Sequence, residues 1–73
     1  MSNEQTLVVY SLHKHIDQAR QEIIEEAKKR KIENSTIITV NYVRNAIHIT
    51  TNNAAFVQYL LLNTDYKVNP PRM

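Results

Sequence analysis

The 73-residue chain contains no glycine. Phosphate-binding loops, dinucleotide-binding turns and nucleophile elbows all need backbone that glycine adopts at least cost, so nucleotide-dependent chemistry is not expected. Cysteine is absent as well, which removes disulfides and thiolate zinc sites from the means of stabilising a small fold. No apolar run approaches the roughly 20 residues that cross a bilayer. The first residues, Met1 to Thr6, lack the cationic and apolar stretches of a secretory signal, so a cytoplasmic location is expected, with no membrane contact. Charge of one sign is scarce too. Nine Lys and Arg face seven Asp and Glu, for a net +2, and so mild a field gives nucleic acid little general attraction. The abundance of Asn, Ile, Lys and Tyr suggests an AT-rich genome, bacterial or phage, by compositional association alone.

What is present is enough for one domain over 1–73, with 1–5 and 69–73 expected to be flexible. A chain this short buries a modest share of its surface, and without disulfides or thiolate metal sites self-association is the favoured remedy.

Thr6 to Tyr10 is β-branched and apolar on both faces, which predicts a buried strand. Ser11 is a candidate N-cap for a long helix, whose apolar stripe runs Leu12, Ile16, Ala19, Ile23 and Ala27, widened by Ile24. Pairs such as Glu25 with Lys29 and Glu26 with Arg30 lace its outer side. Asn34 and Ser35 are the expected stop. Alternation from Thr36 to Val43 and from Ala46 to Thr51 predicts a hairpin about Arg44 and Asn45. A tight turn there sets Tyr42 opposite Ile47, Val40 opposite Ile49 and Ile38 opposite Thr51. Asn52 or Asn53 then caps a second helix, Ala54 to Leu62, and the remainder from Asn63 reads as an extended tail broken at Pro70 and Pro71.

The expected fold is therefore an α+β two-layer sandwich in the order β-α-β-β-α: a three-stranded mixed sheet with two helices on one face. The same element order occurs in the DNA-damage-inducible recombinase modulators, whose acidic second helix is here an apolar one; no residue carries over.

The second helix is apolar almost all round, in stripes of Ala55, Tyr59 and Leu62, of Phe56 and Leu60, and of Val57 and Leu61. A domain with only two helices has too few partners for three stripes, so Phe56, Val57, Tyr59, Leu60 and Leu61 are the expected interface. The competing explanation is that the first helix and the tail, through Tyr66 and Val68, cover them all. Lys28, Lys29, Arg30 and Lys31 form one basic cluster, and His13, Lys14, His15 and Arg44 a second at the opposite end. Either could contact a phosphate backbone, although cations at a helix C-terminus also complement its dipole with no ligand at all.

Metal ligation is not expected, because His13 and His15 diverge in helical geometry and no local acid completes a set. Nor does any nucleophile, acid or base sit where a pocket and an orienting neighbour are foreseeable, so the chain is read as no enzyme, with no cofactor and no small-molecule substrate. A metal-responsive or pH-responsive protein using His13, His15 and His48 is a third class, which altered melting with added zinc or nickel would reveal. Two functions rank ahead of it. The first is a non-catalytic regulatory or inhibitory protein that binds itself and an unidentified protein. The second is a nucleic-acid-binding accessory protein using the basic surface of a dimer.

Overall fold

Why the chain closes on itself is clearest at Val9, which sits at the middle of the molecule with strands on both sides. The computed structural model describes residues 4–69. Its elements are β1 (Gln5–Ser11), α1 (Ile16–Lys29), a 3-10 turn (Glu33–Ser35), β2 (Thr36–Asn41), β3 (Ala46–Thr51), α2 (Ala54–Leu62) and β4 (Tyr66–Asn69). The sheet order is β2-β3-β1-β4, and every adjacent pair is antiparallel. Val9 thus lies opposite Ile47 on one side and Val68 on the other.

The fold class is α+β, as expected, but the sheet has a fourth strand and no parallel neighbours. The tail had hidden it. Tyr66 and Val68 alternate within only four residues that end at Asn69, too short a pattern to separate from an extended tail, and β4 exists because Ser11 and Val9 of β1 pair with it. β1 and β2 run the same way, as a helical crossover demands, with β3 inserted between them; β3 and β4 likewise flank β1. Two interleaved crossovers of this kind make the ferredoxin-like arrangement, a scaffold that hosts many unrelated functions. Of the segments expected to be flexible, 1–3 and 70–73 lie outside the described residues, while Gln5 pairs with Thr51 and Asn69 with Val8.

Strand alternation sorts the two faces. Leu7, Val9, Ile47 and Ile49 point to the helical side, where they meet Ile16, Ala19, Ile23 and Ala27 of α1 and Phe56, Val57 and Leu60 of α2. Thr6, Val8, Tyr10, Ile37, Thr39, His48, Thr50 and Lys67 fall on the opposite, open face. All four apolar positions expected at the centre of the α1 stripe are buried.

Three local expectations need correction. Ser11 does not cap α1: it ends β1, and its hydroxyl closes a turn by donating to the Lys14 carbonyl at 2.7 Å and accepting the Lys14 N–H at 3.2 Å. The cap is His15, whose Nδ1 accepts the Asp17 N–H, and Leu12 is left half-exposed in the connection. The hairpin slips by two residues, so that Val40 faces Ile47, Ile38 faces Ile49 and Thr36 faces Thr51. Its loop has four residues, Tyr42 to Asn45, because the Asn41 carboxamide accepts the Arg44 N–H and Asn45 takes φ 55. An even slip leaves every side chain on its expected face.

The helix α1 stops earlier than expected, at Lys29. Ile32 N–H returns to Ala27 O and Lys31 N–H to Lys28 O, which is the Schellman pattern, with Lys31 at φ 59 in the left-handed position that glycine usually fills. The backbone there costs about 1–2 kcal/mol for a residue with a Cβ. Lys31→Gly is expected to gain about 0.5–1 kcal/mol after the entropy glycine adds to the unfolded chain. A rise in the urea midpoint checks it, and an unchanged or lower midpoint counts against the strain.

Candidate functional site

α2 begins where Asn53 accepts the Phe56 N–H at 2.8 Å, and its short length fixes which residues reach the core. Phe56 and Leu60 are fully buried and Val57 is nearly so, which makes them part of the chain's own interior and takes them off the accessible surface. Tyr59 is half-buried, Leu61 is 41% exposed and Leu62 76% exposed. Of the stripes anticipated on this helix, the one of Ala55, Tyr59 and Leu62 therefore faces water.

The stripe is a shaped surface. Ala55, Gln58, Tyr59, Leu62 and Asn63 line an open groove of 430 Å³ whose far wall is Arg30. The Tyr59 ring stacks on Phe56, with centroids 6.0 Å apart and planes within 9°. The Arg30 guanidinium lies over the same ring, 5.2 Å from its centroid, and Arg30 Nε donates to Glu26 Oε2 at 2.7 Å. Phe56, Tyr59, Arg30 and Glu26 are thus linked contact by contact, so Tyr59 and Arg30 are held in place before any ligand arrives.

The basic residues divide in the same manner. Arg30 is engaged with Tyr59 of α2 and with Glu26, whereas Lys28, Lys29 and Lys31 remain exposed at the C-terminal end of α1. At the opposite end Lys14 is the most committed cation: its Nζ lies 2.7 Å from Glu22 and 3.5 Å from Asp65, joining the β1–α1 connection to α1 and to the α2–β4 loop. Tyr42 does the same for the hairpin loop, donating to Asp17 Oδ1 at 2.7 Å. His13 and Arg44 are exposed, while the His15 ring is engaged in capping. Sequence reasoning found the basic residues but not these tethers, since each joins segments that only the folded topology brings together. Among the described residues no group of three or more His, Cys, Asp or Glu is placed to hold a metal ion, and no helix is long and apolar enough to cross a membrane.

The hydrogen bond to Glu22 holds the Lys14 ammonium above the usual lysine range, overriding an opposite push from burial. The bond to Asp17 likewise raises the Tyr42 phenol, and burial raises that of Tyr66. All three protons are bound more tightly in the folded chain than in the unfolded one, whose reference values are 10.5 for lysine and 10.0 for tyrosine. Their contribution is therefore complete below pH 10 and is lost as pH rises through the folded values. Urea midpoints measured across the alkaline range are expected to fall above that point, and Glu22→Gln and Tyr66→Phe should each flatten the decline. Identical profiles for the three proteins would contradict it.

No family model matches the chain, and neither a curated protein nor a solved structure matches it.

Proposed function

We propose that the chain is a small, non-catalytic regulatory or inhibitory protein that acts through protein–protein contacts as a homodimer. The reading rests on the outer stripe of α2, where Leu62 is 76% exposed beside a preset Tyr59–Arg30 pair and an open groove. Binding hot spots are enriched in tyrosine and arginine, and here both are held rigid beside the exposed apolar area of Leu62. The complementary partner presents an apolar side chain to the groove and an acceptor to Arg30.

Leu62→Glu tests the contact. Folding stability is expected to stay within about 0.5 kcal/mol, as for surface changes in general. Proteins that the wild-type chain retains from an extract of its native cell are expected to be lost from the variant. Equal retention by both would remove α2 as the binding surface.

A second reading, a nucleic-acid-binding accessory protein, draws support from one feature: among the described residues no strand contains Asp or Glu, so strand residues give the open face Tyr10, His48 and Lys67 without a carboxylate. It predicts a mobility shift at low salt that weakens steeply as salt rises, and one that suffers when Lys28, Lys29 and Lys31 are neutralised. No shift at low salt disposes of it.

A further inference from the structure

The two outer strands of the sheet are built differently. β4 has four residues and carries Lys67. β2 has six, Thr-Ile-Ile-Thr-Val-Asn, with neither charge nor proline, and its pairing with β3 runs unbroken from Thr36 to Asn41. An outer strand offers a row of unpaired backbone donors and acceptors, and proteins that stay monomeric blunt it with charge, proline, a bulge or brevity. β4 has two of these guards, and β2 has none.

Three more observations fall on the same edge. Ile37, on the open face, is 60% exposed. On the helical face a cleft of 210 Å³ opens between α1 and β2, lined by Ile24, Ala27, Glu33, Thr36 and Ile38. The flank of α1 above that cleft reads Asp17, Ile24 and Lys28 at helical spacing, with the acid at one end and the base about three turns away.

We infer that β2 pairs antiparallel with β2 of a second copy about a two-fold axis perpendicular to the sheet, giving one continuous eight-stranded sheet with all four helices on one side. A second copy suits this edge for two reasons. A strand without charge meets no like-charge penalty against itself in any register. Two α1 helices related by the axis run antiparallel, which brings Asp17 of each toward Lys28 of the other across paired Ile24 side chains. Isologous contacts of this kind are the commonest in homodimers. The inference rests on the homodimer half of the proposed function and moves that contact from α2 to β2, leaving both α2 stripes free for a partner at the outer ends.

Thr39, exposed near the centre of β2, is the position to test. Light scattering and sedimentation equilibrium should find the wild-type chain at twice its own mass. Thr39→Lys and Thr39→Glu should each raise the dimer dissociation constant about tenfold or more, since a pairing centred on the middle of β2 brings the added charges together. An equimolar mixture of the two should restore the dimer, and Leu62→Glu should leave it intact. Hydrogen exchange of the wild-type protein supplies a readout independent of any variant: amide protection in β2 rises with protein concentration. A monomeric wild type, unchanged protection, or Thr39 variants that dimerise as well as wild type would each overturn the inference. Dissociation by Leu62→Glu alone would return the self-contact to α2. Loss of partner retention in Leu62→Glu with a monomeric wild type would overturn β2 pairing while leaving the α2 contact standing.

Discussion

Phe56→Ala is expected to cost about 3–5 kcal/mol of folding stability, the range for removing a fully buried aromatic side chain. Phe56 has no exposed surface, lies in the same cluster as Leu7, Val9, Ile23, Ile47, Ile49 and Leu60, and backs the Tyr59 ring. Small domains are stable by about 5–15 kcal/mol, with short chains at the low end, so such a loss takes most of what this chain has. Urea unfolding followed by circular dichroism should show a midpoint near zero denaturant or no folded baseline at all. Leu62→Glu, six residues along the same helix, should barely move it. A Phe56→Ala protein as stable as Leu62→Glu would mean that the helix packs by a different face, and the outer groove would go with it.

That contrast within one helix marks the limit of what was legible beforehand. The spacing of Ala55, Tyr59 and Leu62 against Phe56 and Leu60 correctly separates the stripes. Which stripe faces water depends on how wide the sheet is, and width is a matter of strand pairing. A three-stranded sheet leaves α2 overhanging its edge. With β4 in place the helix has a floor that includes Tyr66, and Phe56, Val57 and Leu60 are all covered. The pairing of Val9 with Val68 and Ser11 with Tyr66 joins the two ends of the chain, so no local pattern announces it.

The first helix and the hairpin show the same division between local and long-range information. Ile16, Ala19, Ile23 and Ala27 were readable because helical periodicity is local. Leu12 fits the same period yet lies outside the helix, since Ser11 is claimed by β4 and the backbone of Leu12 donates to Asp65 O at 3.0 Å. In the hairpin the alternation of side chains fixes the faces, while the turn fixes the register, and Asn41 and Asn45 together favour a four-residue loop over a tight one. Tyr42 thereby leaves the strand and reaches Asp17. The unguarded edge was invisible for the same reason as β4, because an outer strand can be named only once the order of all strands is known.

The second-largest expected effect concerns how α2 is aimed. Thr51 is fully buried at the end of β3, and its Oγ1 lies 3.1 Å from Thr36 Oγ1 and accepts the Asn53 N–H at 3.2 Å. Asn53 in turn caps α2 through Phe56. One hydroxyl thus links the last residue of β3, the first residue of β2 and the residue that starts the helix. Thr51→Val keeps the volume but leaves a part-buried N–H and a part-buried hydroxyl without their partner, at a cost of about 1–2 kcal/mol. Thr51→Ser keeps the hydroxyl and should preserve the link, losing only the packing of one methyl group. If the link aims the helix, hydrogen exchange in the valine variant accelerates in the first turn of α2 more than in α1, and the serine variant does not show this. Equal acceleration in both helices would reduce Thr51 to an ordinary contributor to global stability, and the orientation of the Tyr59–Leu62 stripe would then rest on the Phe56 and Leu60 packing alone.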